Sequence, residues 1–266
     1  MITLSDQDLA DLRMWMREEL GLRGEDYRPT FLARRIGPRM SAAGFKEVGA
    51  YLAFLRKNPA EAGAFASKFF VPTSEFFRNT EVFQSLRKLL PERAHRLGWP
   101  SLKVVSAACS TGEEPVSLAI LLEEAALDGR ILALDRSLVA LRALRQGLFT
   151  RRALEKVDLK LKERYFKGDG EKARVVQRVA ARICPICCDL GEGLPVRGAH
   201  VVVMRNLFIY LTEASQVRLL DSSAGALVPG GLLVLGRVEA PSPLRAAAWK
   251  PVDRAARIYE RTGRDE

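Results

Sequence analysis

The sequence predicts an α/β protein: a doubly wound, open sheet with a small antiparallel β insertion, preceded by an all-helical segment. Three observations lead there. Apolar residues recur at helical spacing through the first eighty or so positions. From Ser101 short continuous apolar runs alternate with helical stretches, and between Lys162 and Asp189 that rhythm fails.

The helical segment opens at Ser5, which can cap a helix with Asp8 three residues on. Leu9, Leu12, Met16 and Leu20 then share one face until Gly21 stops it. A second helix is expected from about Thr30, with Leu32, Ile36 and Met40 inward and Arg34, Arg35 and Arg39 on its other sides. Pro38 is expected to kink or interrupt it. Further helices are expected over 45–56 and 60–69. The runs Lys103–Ala107, Ile131–Leu134, Val201–Met204 and Leu232–Leu235 have the length and composition of buried parallel strands. Such a sheet takes its ligand at the carboxyl ends of its strands. The stretch Ala173–Cys188 is rich in Val and Ile, charged, and too irregular for one helix, which places the antiparallel insertion at about 162–188.

A chain of 266 residues has room for one large domain or two smaller ones, and 48% hydrophobic with 28% charged residues excludes extended disorder. The longest apolar run, Ala226–Leu235, is broken by Pro229, Gly230 and Gly231, so no membrane insertion is expected. Met1 leads into a polar stretch unlike a signal peptide. Four cysteines, at 109, 184, 187 and 188, are too few and too clustered for a disulfide framework. A cytoplasmic location is expected. The net charge of +10 suits either a nucleic acid or an acidic protein, and charge alone does not separate the two.

The densest chemistry lies in Ser106-Ala-Ala-Cys-Ser-Thr-Gly-Glu-Glu-Pro-Val-Ser117, a strand end, a loop of small residues and a helix start around Pro115. Gly112 allows close backbone approach, and the helix N-terminus offers free amides. Glu113 and Glu114 would repel phosphate and suit a cationic or hydroxyl-bearing ligand; an ordinary strand–helix turn would look similar. Asp135 ends the next strand about twenty residues on, the spacing at which an acidic side chain takes ribose hydroxyls, although a strand-end Asp is also a common helix cap. Cys184-Pro-Ile-Cys187-Cys188 contains one CxxC without a second pair, and reads as a strand leading to Asp189 rather than a metal site.

Ser106–Ser117 is very similar to the corresponding loop of the chemotaxis receptor methyltransferases, the CheR family. Phe76-Phe77-Arg78-Asn79, Arg164-Tyr165-Phe166, Arg205-Asn206-Leu207-Phe208-Ile209-Tyr210, Pro229-Gly230-Gly231-Leu232 and Gly236-Arg237-Val238-Glu239 match in order. The resemblance covers essentially the whole chain. It implies a Rossmann-like S-adenosylmethionine-dependent methyltransferase domain over 86–266, behind a helical receptor-docking domain over 1–85. It also implies a reaction that methyl-esterifies glutamate side chains of bacterial chemoreceptors and releases S-adenosylhomocysteine.

Residue by residue, the resemblance places Ser74 and Arg78 at the cofactor and the methyl-transfer site. Glu114 falls at the methionine part with Glu113 beside it, Asp135 at the ribose, and Asp189 with Leu190 near the adenine. Arg205 and Asn206 would line the same pocket, and Tyr210 would reach toward the substrate carboxylate. Arg34, Arg35 and Arg39 would dock acidic receptor helices, and the β insertion matches the family's small β-subdomain, which in some members grips a receptor's C-terminal tail. Without the resemblance, Arg78 reads as a surface ion pair, Tyr210 as a core aromatic and the basic helix as a solvated face. The chain departs from the family at Pro72, where some members have a cofactor-contacting Asn, at Asp189, where Asn is usual, and at Ser74, Val116 and Met204. A glutamate carboxylate is already ionised near neutral pH, so the transfer needs alignment and exclusion of water rather than a strong base. No base-stacking motif sits beside Arg205-Asn206, and no nucleic-acid partner is expected. A non-catalytic relative that only binds cofactor or receptor is the other class open at this stage.

Overall fold

Ser5 starts the first helix by reciprocal capping: its Oγ accepts from the Asp8 amide at 3.1 Å, while the Asp8 carboxylate accepts from the Ser5 amide at 3.0 Å. The computed structural model describes residues 2–69, 74–168 and 170–262. It divides into one unit of Met1–Pro72 with Tyr210–Gln216 and another of Thr73–Ile209 with Val217–Glu266.

The first unit holds α1 (Asp6–Leu20), α2 (Pro29–Ala42), α3 (Val48–Lys57) and α4 (Pro59–Phe69). Gly21 closes α1 with φ of 59°, a conformation that costs glycine little. Leu12, Trp15, Met16, Leu32, Ile36, Tyr51 and Leu55 are buried together, with Trp15 edge-on to Phe65 at 5.3 Å. Pro38 does not interrupt α2. It sits on the exposed face while Ile36 and Met40 remain buried on either side, so core packing outweighs one missing backbone hydrogen bond.

The second unit begins with α5 (Thr80–Leu97), followed by β1 (Leu102–Ala107), α6 (Glu113–Glu124), β2 (Gly129–Asp135) and α7 (Leu138–Gln146). Next come β3 (Leu148–Thr150), α8 (Arg151–Leu154), α9 (Leu159–Tyr165), β4 (Phe166–Lys167), β5 (Lys172–Val175) and α10 (Gln177–Ala180). Then follow β6 (Ile183–Cys187), β7 (Ala199–Met204), α11 (Glu213–Ala226), β8 (Leu227–Leu235), β9 (Trp249–Asp253) and β10 (Ile258–Arg261). The expected boundary at residue 85 falls inside α5, whose Val82, Phe83, Leu86 and Leu90 are buried in the second unit's core.

Among the described residues, the strands form a seven-stranded sheet in the order β6-β2-β1-β7-β8-β10-β9 and a three-stranded sheet in the order β3-β5-β4. β6, β2, β1, β7 and β8 run parallel, and β10 and β9 add antiparallel at one edge. Val104, Val105, Ile131, Val201, Val202 and Leu233 are buried, as strands covered on both faces require. The antiparallel insertion is present, but it spans Leu148–Val175. Ile183–Cys187, expected within it, pairs in parallel with β2 instead, because a short apolar strand gains more against Ile131 and Leu134 than in a charged hairpin. Among the described residues no helix is long and apolar enough to cross a membrane.

Candidate active site at the carboxyl ends of the central strands

β1 lies between β2 and β7, so the chain leaves it on one side and later returns on the other. That reversal opens a crevice at the carboxyl ends of these strands, where such sheets receive ligands. The backbone there is unusually bent. Ala108, Ser110 and Gly112 on the β1–α6 turn have φ of 56°, 51° and 103°, and Phe77, Asn79 and Asn206 also lie at positive φ. Gly112 suits this turn, since its φ of 103° strains any other residue and a Cβ would also press on the Leu144 side chain.

α6 begins at Glu113, so Pro115 occupies the first turn, where its missing N–H has no carbonyl to reach. Glu113 accepts from Thr111 Oγ1 at 2.7 Å. Glu114 turns inward, with 15% of its side chain exposed, accepting from Ser106 Oγ at 2.7 Å and facing Arg205 Nη1 at 3.3 Å. Burial raises the Glu114 carboxyl above the ordinary range, against the opposing pull of Arg205, Ser106 and Arg78.

Arg205 is the hub. Its side chain is 2% exposed, its Nη2 donates to the Arg78 carbonyl and to Asn79 Oδ1 at 2.8 Å, and its guanidinium lies 5.7 Å from the Phe83 ring centroid. The Arg205 Nε is buried with no hydrogen-bond partner. The Phe76–Asn79 segment is held from below. Phe76 packs edge-on to Phe149 and Phe166 at 4.9 and 5.3 Å, and the Phe77 amide donates to Ser117 Oγ at 3.0 Å. Aromatic packing against the insertion thus fixes the carbonyl that Arg205 reads.

Asp135 has both carboxylate oxygens engaged, accepting from the Ser110 amide at 2.9 Å and the Ser137 amide at 2.8 Å. Each oxygen keeps a second lone pair for a further donor. The Cys188 amide donates to the Asp135 carbonyl at 3.1 Å, bringing Asp189 to the same strand ends. Asp189 accepts from the Gly191 amide at 2.8 Å and pairs with Arg136 at 3.3 Å, and Leu190 opens the short helical turn that follows. Burial, then Cys187, Asp135 and Asp189, push the Cys188 thiol up to about 11. Cys184 and Cys187 are free and exposed on β6.

The second unit therefore brings Glu113, Glu114, Asp135, Asp189, Leu190, Arg205, Asn206 and the Arg78 backbone to these strand ends. Ser74 is half-buried in the same unit, and Pro72 lies outside the described residues. Val116 and Met204, two of the departures, are fully buried core residues. The residue the sequence reading left without a role is Glu239. It is 3% exposed and accepts from the Gly236, Asn206 and Ile209 amides; the pattern Gly-x-x-Glu after the last parallel strand was its only sequence signal.

Tyr210, Arg34, Arg35 and Arg39 belong to the first unit. Tyr210 packs on Phe31 with ring centroids 4.8 Å apart, and its carbonyl accepts from the Arg28 amide at 2.9 Å. Arg34 is exposed, and Arg35 lies 4.9 Å over the Phe31 ring. Arg39 is clasped by Glu61 through two hydrogen bonds of 2.8 and 2.6 Å, with Tyr51 Oη donating to the same carboxylate at 2.7 Å. Burial, then Glu61, push the Tyr51 phenol up to about 12.

The profile of the family described as CheR methyltransferase, SAM binding domain, matches residues 72–248, and that of the CheR methyltransferase, all-alpha domain, matches residues 7–69. A Pseudomonas putida protein named "Probable biofilm formation methyltransferase WspC" is 32% identical over 235 residues, covering 85% of this chain and 55% of its own length. The chain thus spans about half the length of that relative. A chemotaxis protein methyltransferase of Klebsiella aerogenes is 30% identical over 251 residues, covering 90% of this chain and 84% of its own. One of Listeria monocytogenes is 27% identical over 241 residues, covering 90% and 92%.

Proposed function

Because the chain belongs to the CheR methyltransferase family, we propose that it transfers a methyl group from S-adenosylmethionine to glutamate side chains of bacterial chemoreceptors, acting in the cytoplasm. The observation that carries the reading is the charge of the crevice. Glu113, Glu114 and Asp135 meet at one turn with Arg205 paired to Glu114, and Glu239 adds a further buried carboxylate on the neighbouring loop. That set of acceptors fits a cation with ribose hydroxyls and repels a phosphate.

When bound, S-adenosylmethionine supplies an electrophilic methyl group, which a glutamate oxygen takes to give the methyl ester and S-adenosylhomocysteine. The chain's own residues align and enclose. Glu114 faces the methionine part with Glu113 beside it, Asp135 takes the ribose, and Asp189 with Leu190 flanks the adenine. Ser74, Arg205 and Asn206 line the pocket. Arg78 holds the substrate carboxylate and Tyr210 orients its attacking oxygen by one hydrogen bond. No residue need remove a proton, because the nucleophile is already an anion. The contribution of the pocket is in-line positioning and dryness.

The helical first unit docks the receptor in this proposal. Of its three arginines Arg34 is the exposed one, so it meets an acidic receptor helix first, with Arg35 and Arg39 behind it. The three-stranded sheet, flanked by the exposed Arg151, Arg152, Lys167, Lys172 and Arg174, is the proposed grip for a receptor's C-terminal tail. The test is incubation with tritiated S-adenosylmethionine and receptor cytoplasmic fragments. Base-labile methyl label on receptor glutamates is expected; cofactor binding by calorimetry without transferred label would sink the enzyme reading.

A further inference from the structure

We propose that Glu239 is a positioning residue of the cofactor pocket, a buried anionic peg that locks the loop after β7 to the loop after β8. The inference rests on the cofactor reading above. Glu239 is 3% exposed. One carboxylate oxygen accepts from the Gly236 amide at 2.6 Å and the Asn206 amide at 3.1 Å, and the other accepts from the Ile209 amide at 3.2 Å. Its own amide donates back to the Gly236 carbonyl at 2.8 Å, closing a tight turn at the end of β8. Three backbone donors converge on one side chain, and no cation pairs with it among the described residues.

Each partner has a reason to need the peg. Asn206 has φ of 59°, a left-handed conformation that a non-glycine residue keeps only when its surroundings enforce it. It directly follows Arg205, whose guanidinium must reach Glu114 Oε2 and the Arg78 carbonyl together. Gly236 has no space for a side chain, since a Cβ would lie 2.5 Å from Glu239 Oε2 and 2.9 Å from the Asn206 nitrogen. Ile209 ends the loop. Without the carboxylate these amides are left facing each other in a buried site, and the loop has no reason to hold the bent form. An amide side chain is a poor substitute, because Gln offers one acceptor oxygen and would turn an NH2 group toward N–H donors.

The test compares Glu239→Gln with wild type and with Val238→Ala, a control at a neighbour that is 75% exposed. Amide hydrogen exchange is read at Asn206, Ile209 and Gly236, and S-adenosylmethionine affinity by calorimetry. Glu239→Gln should lose protection at those three amides and bind cofactor about tenfold more weakly or worse. The KM for cofactor should rise more than kcat falls at saturation. Val238→Ala should match wild type in every measurement. If Glu239→Gln does not fold, Glu239→Asp decides, since it keeps the charge but shortens the reach; it should also lose Ile209 protection and affinity. Either folded variant binding cofactor as wild type does overturns the proposal. A wild-type protein that binds no S-adenosylmethionine sinks the reading of the pocket itself, a result distinct from tight binding that ignores Glu239.

Discussion

Two arginine–glutamate clusters, one in each unit, are built from the same parts and do different work. In the helical unit Arg39 meets Glu61 through two hydrogen bonds with a Tyr51 hydroxyl on the same carboxylate, and both charged side chains keep about a fifth of their surface in solvent, at 17% and 21%. In the α/β unit Arg205 meets Glu114 by one contact with a Ser106 hydroxyl, the arginine being 2% exposed. The first geometry is bidentate and partly hydrated, as in a clasp that closes helices. The second spreads one guanidinium over three acceptors and leaves a carboxylate whose ionisation burial disfavours. A charge that its own fold does not fully satisfy is what a cationic ligand can use.

The largest expected effect follows from breaking the buried cluster. Arg205→Ala leaves Glu114 without its cation and should cost about 3–5 kcal/mol in denaturant unfolding, with cofactor affinity lost to calorimetry. A loss under about 1 kcal/mol would place the pair among exposed ones and remove the contrast. Next is the pH response. The folded Glu114 pKa is raised, so its contribution favours folding below the ordinary carboxylate range and fades as pH rises through the raised value. Cation binding favours the ionised form, so S-adenosylmethionine affinity should strengthen across that same window and then level off, with proton release visible in buffers of different ionisation enthalpy. Glu114→Gln should flatten the profile, and a flat wild-type profile refutes the assignment.

Smaller effects belong to the clasp. Glu61→Ala should cost about 1–2 kcal/mol, between the limits for exposed and buried pairs, and leave cofactor affinity unchanged. Tyr51→Phe removes one hydrogen bond and should cost about 1 kcal/mol. Cofactor affinity that falls in either variant would show the two clusters to be coupled.

The parallel strands were legible because burial on both faces writes each as an apolar run. Ile131–Leu134 and Val201–Met204 fall inside β2 and β7, and the Ser5 cap and Gly21 stop were readable from local chemistry alone. β9 and β10 were not, since Trp249–Asp253 and Ile258–Arg261 mix charged and apolar residues and are strands only by pairing with each other and with β8. Pro38 misled because the penalty it carries is local, while the packing that outweighs it is not. At the site, Glu114 stood out as an acid at a helix start and Asp135 by its spacing from the turn. Arg205 was named, but its role as hub was hidden, because its acceptors lie at positions 78, 79 and 114, brought together only by the fold. Glu239 was quoted within a motif, but its role was hidden for the same reason: its partners are amides, which every residue has.

Both outer strands of the seven-stranded sheet, β6 and β9, carry a proline, Pro185 and Pro251. An outermost strand offers its free amides and carbonyls to any extended chain that comes by, and is the usual starting point for sheet-to-sheet association. A proline removes one donor from that row and blocks the approach of a neighbour. Among the described residues, each margin of the sheet is thus formed by a strand carrying the one residue that a fully paired central strand does not tolerate.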